Sequence, residues 1–577
     1  MICRNIFLLG SSLATILWLN SPGLIFAQNS PQQIRGTPPP PILPSPLPTP
    51  TPLPNPEDLL LPSVPNKSEN QDNLSTDEIS GAIVVKEFRF EGNTAFSQEE
   101  LAEITQPFTH RQLSFSELLQ ARSEVTKFYV SKGYITSGAY IPPQTLDNGV
   151  VIIKIIEGGL ESINVHVEGK LNPDYVRDRL WLAAEKPLNI PRLLEALQIL
   201  QLNPIIAKIS SELTNSTEPG QSILNVSVET ARSFYPSIIL DNGRNPQVGS
   251  FRRGVALEDI NLSGNGDSLR GTYLNTDGSN DIDLSYAIPL TPENGTLTLG
   301  FRNITGEVIE YPFSLLDLKS YYQKYLISFR QPLWQTPYSE FALALGFDYQ
   351  TSSNTLLGYA FPSRGSDLDG NTRLSSLRFS QDWLQRSDTD VLAAHSEFAL
   401  GINAFNTTTP FDAQYNSSAP DSNYFLWRGQ AQWVHLLAPD TLLLAKTNIQ
   451  LANSAVPSLE QFALGGLGSV EGYRQNTLLT DNGAFASLEA RFPLYRIPEE
   501  RAVLQIIPFV NWGTGWNNQS PNPETNTLAS IGLGLQWQYG KNVTARIDWA
   551  KRLGKVPYIQ GNSLQDDGII FSVTITP

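Results

Sequence analysis

Two periods of apolar and polar residues divide the chain. From about residue 233 onward, apolar positions recur at every second residue. Ile282, Leu284, Tyr286 and Ile288 alternate with Asp281, Asp283 and Ser285, and Ala445, Thr447, Ile449 and Leu451 with Lys446, Asn448 and Gln450. Val543, Ala545, Ile547 and Trp549 alternate with Thr544, Arg546 and Asp548, and Ile569, Phe571, Val573 and Ile575 with Ser572, Thr574 and Thr576. A period of two puts one set of side chains on each face of a strand. Sixteen such segments can be traced, the first near Ser233 and the last near Ile569, with no convincing long helix among them.

Between residues 81 and 231 the period changes, and a pattern occurs twice. A strand over 84–90 ends in Glu91-Gly92. Ser97 with Glu100, then Ser114 with Glu117, form capping boxes that start two helices. The second helix carries Leu118, Ala121, Val125 and Phe128 on one face and stops at Gly133. Strands over 135–141 and 150–156 follow, joined by a turn at Asp147-Asn148-Gly149. The second copy has a strand over 163–167 ending in Glu168-Gly169. Helix starts follow at Asn172-Pro173 and at Asn189 with Pro191, then strands over 207–213 and 223–228. The pattern predicts two β-α-α-β-β modules in tandem.

Alternation alone does not separate a soluble sandwich from a barrel in a membrane. Lys446, Arg546 and Asp548 sit deep in their strands, where a packed core would reject them. Segments of about ten residues suit a tilted bilayer crossing. Trp334, Trp383, Trp433, Trp512, Trp537 and Trp549 recur near segment ends, as in an aromatic girdle. The expected fold is therefore mostly β, a 16-stranded antiparallel transmembrane β-barrel over 232–577. Its polar face, Asp281 and Asp283 included, is expected to line a watery bore.

Composition narrows the chemistry. The only cysteine is Cys3 and the only methionine Met1. Both lie in residues 1–27, which read as a signal peptide: Arg4, an apolar run over 6–19, and Ala27 before the cut. The mature chain would then hold no thiol, so disulfides, cysteine–zinc sites and cysteine nucleophiles are excluded. Its net charge would be one unit more negative than the −16 of the whole chain, which argues against a nucleic-acid partner. Residues 28–80 read as a proline-rich disordered linker, with runs such as Pro38-Pro39-Pro40-Pro41. His110, His166, His395 and His435 lack ligand-like spacing. Asp367-Leu368-Asp369-Gly370-Asn371 lacks the closing Glu of a calcium loop. No Walker, H-E-x-x-H or G-x-S-x-G sequence occurs. No enzyme, nucleotide, metal or cofactor is expected.

Several motifs resemble a known family. Lys132-Gly133-Tyr134, Pro143-Gln144, Asp147-Asn148-Gly149 and Ile156-Glu157-Gly158 resemble a POTRA module of two-partner secretion outer-membrane transporters. These are the TpsB, haemolysin secretion/activation (ShlB/FhaC/HecB) proteins of the BamA-like superfamily. Leu240-Asp241-Asn242-Gly243 with Arg252-Arg253-Gly254 is similar to that family's first hairpin. The run from Gly465 through Val470, Glu471, Gly472, Tyr473 and Arg474 resembles its sixth-loop motif, and Phe509, Asn511 and Gly513 its barrel-wall motif.

The resemblance implies POTRA modules over 81–158 and 159–231 that sit in the periplasm and capture an unfolded, haemolysin- or adhesin-like exoprotein. The barrel in the outer-membrane lipid would pass it to the surface. A barrel-assembly insertase of the same superfamily and a passive porin are the alternatives. The family usually carries Arg where this chain has Glu471 and Asp where it has Asn511, and a salt bridge between them pins the loop inside the barrel. An amide in place of the carboxylate can donate to Glu471, so Glu471 and Asn511 are expected to meet, with Arg474 as a further partner. Family members often plug the pore with an N-terminal helix. The proline-rich stretch is not expected to form one, and only residues 56–61 could supply a brief turn.

Overall fold

The structure, a computed structural model, describes residues 50, 53–61, 83–145, 148–363, 365–411, 419–554 and 561–577. The expected signal peptide, most of the expected linker and Asp147 of the expected turn lie outside the described residues. Two units form, Leu53–Ala231 in one and Arg232–Pro577 in the other.

In the first unit, both capping boxes close. The Glu100 N–H donates to the Ser97 hydroxyl at 3.2 Å and the Ser97 N–H to Glu100 at 2.8 Å, and Ser114 and Glu117 do the same. They start helices Gln98–Thr105 and Phe115–Ser131. The longer helix buries Leu118, Ala121, Val125 and Tyr129 against Phe88, Phe90, Val151 and Ile153 of the sheet. Tyr129, four residues after Val125, takes the last core position, and Phe128 is only partly buried. The expected strand over 84–90 is two strands. Ile83–Val85 pairs with the short Arg111–Leu113, and Glu87–Glu91 runs parallel to Val150–Ile156. The polar pair Lys86-Glu87 interrupts the alternation and the buried positions shift phase from Val85 to Phe88, but neither residue names the new partner. Gly138–Tyr140 closes the sheet as a short edge.

The second module repeats the plan. Gly159–Glu168 runs parallel to Gln221–Thr230, which pairs antiparallel with Ile206–Asn215, over helices Pro173–Trp181 and Ile190–Gln201. The modules join at the Lys132-Gly133-Tyr134 motif. Gly133 has φ +90°, and a Cβ there would lie 2.7 Å from the Pro191 ring. The Ile190 N–H donates to its carbonyl at 3.0 Å. Only glycine satisfies both the left-handed backbone and the close approach.

One part of the expected linker is ordered. Pro56–Leu59 makes a helical turn, and Leu60–Leu61 pairs parallel with the outer edge of Ile206–Asn215, opposite Ser211 and Glu212. Leu59 is 2% exposed, and its carbonyl accepts from the Ser211 hydroxyl at 2.8 Å. Leu59 supplies the apolar surface that this contact buries.

The second unit is a closed antiparallel barrel of sixteen long strands from Phe234–Asp241 to Ile569–Ile575. The strands run from seven to eighteen residues. Outward positions are large and apolar, among them Leu345 at 63%, Trp549 at 55% and Ile531 at 53% exposure. Inward positions carry the charges, and here the expectation of a wet bore needs correcting. Asp281 is 5% exposed and takes a fork from Arg302 at 3.0 and 2.7 Å. The inner wall is cross-linked by ion pairs as well as polar.

Candidate functional site

Residues 453–481 leave the eleventh strand, Thr441–Ala452, and fold back into the barrel before the twelfth, Asn482–Ile497. They form a hairpin, with Phe462–Leu464 pairing with Leu478–Thr480. Its tip needs positive φ at Gly465, Gly466, Gly468 and Gly472. Val470 and Tyr473 are fully buried at the tip, packed with Leu464, Leu478, Phe485 and Leu528. The Tyr473 hydroxyl donates to the Ala529 carbonyl on the fourteenth strand at 3.2 Å.

The wall motif lies on the thirteenth strand, Ala502–Trp516, where Phe509, Asn511 and Gly513 face inward and are buried. Gly513 receives the loop. A Cβ there would lie 2.9 Å from a Leu464 methyl and 3.2 Å from a Val470 methyl. The two motifs therefore touch through Val470 and Gly513. Phe509 lies over Gly532 on the next strand. Gly472 backs onto Ala550, whose carbonyl oxygen would be 3.0 Å from an added Cβ.

The polar pair expected within these motifs does not form. No hydrogen bond joins Glu471 to Asn511, and one Glu471 carboxylate oxygen is buried without a partner. Glu471 instead faces Asp548, Arg546, Glu489 and Lys446 from the fifteenth, twelfth and eleventh strands. Arg474 is not its partner either. Arg474 gives one fork to Asp566, at 2.6 and 2.7 Å, and another to Glu310, at 3.0 and 2.9 Å. Both acceptors lie in other loops, so Arg474 ties loop to loop.

The loop reaches the barrel wall through a residue that the sequence did not single out. Glu460, fully buried, accepts from Arg378 Nη2 at 2.6 Å, Arg428 Nη2 at 2.7 Å and Gln350 Nε2 at 2.7 Å. Gln450 Nε2 holds the Glu460 carbonyl at 2.8 Å. The inward positions of Gln350, Arg378, Arg428 and Gln450 follow from strand alternation. Nothing local marks Glu460, because its contacts exist only once the loop has folded back.

Comparison with known proteins agrees with this architecture. Residues 83–158 match the model of the ShlB-type POTRA domain, and residues 220–537 match that of the haemolysin secretion/activation protein ShlB/FhaC/HecB. The chain belongs to the ShlB/FhaC/HecB family. It is 22% identical over 477 residues to the outer membrane transporter CdiB of Dickeya dadantii (strain 3937), covering 81% of each chain. It is 22% identical over 474 residues to the heme/hemopexin transporter protein HuxB of Haemophilus influenzae (strain 86-028NP), covering 79% of this chain and 80% of that one. The solved structure of CdiB from Escherichia coli superposes with a TM-score of 0.66 at 17% identity, over 88% of this chain and 93% of that one.

As a member of the ShlB/FhaC/HecB family, the protein is an outer-membrane two-partner secretion transporter that exports partner exoproteins, and the family implies no catalysis. Among the described residues of this family member, no group of three His, Cys, Asp or Glu side chains is placed to hold a metal ion. The Asp367 loop is an ordinary turn. Asp367 accepts from the Asp369 and Asn371 N–H groups and pairs with Arg373 at 2.8 Å.

Proposed function

We propose that this transporter takes an unfolded exoprotein in the periplasm, holds it as an added strand on its N-terminal modules, and passes it through the barrel once residues 453–481 are displaced. Residues 81–158 and 159–231 act as the two POTRA modules. The observation that carries the reading is the edge of Ile206–Asn215. It already accepts an extended segment, Leu60–Leu61, by backbone pairing. Backbone pairing tolerates many sequences, which suits capture of an unfolded chain. The first module is less open, because the Ala139 N–H on its short edge strand is taken by the Thr126 hydroxyl at 3.0 Å.

Val470 and Gly513, with Gly472 and Tyr473 beside them, act as the contact between loop tip and wall. The cargo is a large secreted protein of the haemolysin or adhesin kind. A second reading, insertion of other barrels, draws on the short seam between the first and last strands, four residue pairs long. Depletion separates the two. Export predicts that a partner exoprotein accumulates in the periplasm while other outer-membrane barrels stay at their usual level. A general loss of barrels would replace export by insertion.

A further inference from the structure

We propose that Glu460 is the positioning residue that seats the inward-folded loop, with the acid on the loop and the arginines on the wall. This is the reverse of the polarity that the family resemblance implies. The inference rests on the export reading, in which that loop must leave.

Three lines of geometry converge. First, the donors to Glu460 come from separate strands: Gln350 from Ser339–Leu356, Arg378 from Asn371–Arg386 and Arg428 from Phe425–Ala438. One loop carboxylate thus bridges a broad arc of the wall. Second, the wall is organised around the missing charge. Arg378 is also held by Asp348 and by Glu397 at 2.8 Å, and Arg428 by Gln450 at 2.8 Å. Lys324 faces the same cluster. Glu460 supplies a carboxylate oxygen to each of Arg378 and Arg428. Withdrawing it takes a buried carboxylate from both guanidinium groups, which is costly unless water or another acid replaces it. Third, the polar residues of the loop tip are engaged differently. Glu471 has a carboxylate oxygen with no partner, and Arg474 ties its loop to Asp566 and Glu310 of two other loops.

The test is ion conductance of the purified, detergent-solubilised full chain in planar bilayers, which needs no cargo. Glu460→Gln is expected to lengthen the open state at least about tenfold, the scale of losing one charged hydrogen bond. Glu460→Asp, which keeps the charge on a shorter arm, is expected to fall between Gln and the parent, a grading that a mere packing defect would not produce. Heat-modifiable migration on gels reports whether each variant is folded. Arg428→Gln probes the same contact from the wall should Glu460→Gln not fold. A folded Glu460→Gln or Arg428→Gln that gates like the parent would overturn the proposal. Failure of the parent to export its exoprotein would instead count against the export reading, and the comparison of gating would still stand.

Discussion

Glu157 closes the motif Ile156-Glu157-Gly158, and its carboxylate is 5% exposed. It accepts the Thr94 N–H at 2.7 Å, the Ala95 N–H at 2.9 Å, the Tyr129 hydroxyl at 2.8 Å and the Thr94 hydroxyl. Burial alone would raise its pKa. The Ala95 and Thr94 donors and the Tyr129 hydroxyl outweigh burial and hold the carboxyl below its ordinary value of 4.5. A group whose pKa is lowered on folding adds stability that is complete above the unfolded value and lost as pH falls through the folded one. Glu157→Gln should therefore destabilise the N-terminal unit by about 2 kcal/mol near neutral pH. The difference from the parent should shrink as pH falls below 4.5. Chemical denaturation followed at several pH values measures this, and a gap independent of pH would refute the assignment. The motif was visible in the sequence. The donors come from residues 28 to 63 positions away, and no local pattern could name them. Glu471 and Asn511 make the complementary point: two complementary substitutions suggested a contact, and the backbone places their polar atoms elsewhere.

Strands were the most legible elements. Period-two alternation located all sixteen, because one face must meet lipid and the other the interior at every step. Their lengths were less legible, since strands such as Ser339–Leu356 extend past any bilayer crossing. The seam was not legible at all. First and last strands share four residue pairs, whereas neighbours such as Thr296–Glu307 and Lys319–Gln335 share twelve. Asn242, from the hairpin motif after the first strand, prolongs the seam with its side chain. Its amide donates to the Ile569 carbonyl at 2.9 Å and its oxygen accepts the Phe571 N–H at 2.8 Å. Asn242→Ala leaves both backbone groups without these partners and should cost about 2 kcal/mol. The measurement is the temperature at which the barrel unfolds on semi-native gels. An unchanged transition would show that the seam does not depend on this amide.

The molecule taken entire presents two kinds of surface. The barrel exterior carries Leu257, Leu299, Ile327, Leu345, Ile531, Ile547 and Trp549, each at least 43% exposed. Soluble monomers rarely expose contiguous apolar patches beyond a few hundred Å². The purified mature chain should therefore be monodisperse only with detergent or lipid. Light scattering in plain buffer should show aggregates, and a monodisperse particle there would contradict the lipid-facing assignment. The interior is the reverse, polar and cross-linked, and that explains how charges such as Arg302 and Asp281 are retained at membrane depth: each has its counter-ion.

Period and spacing alone were enough to read which residues face lipid and where helices of the N-terminal modules begin, and the family resemblance marked the glycines of the loop tip. Each of these depends on near neighbours along the chain. The partners of Glu460, Arg474 and Asn242, the split of the first strand at Lys86, and the docking of Leu60–Leu61 needed the folded chain. Each joins groups far apart in sequence, and such a contact acquires its energy only when the backbone has closed around it.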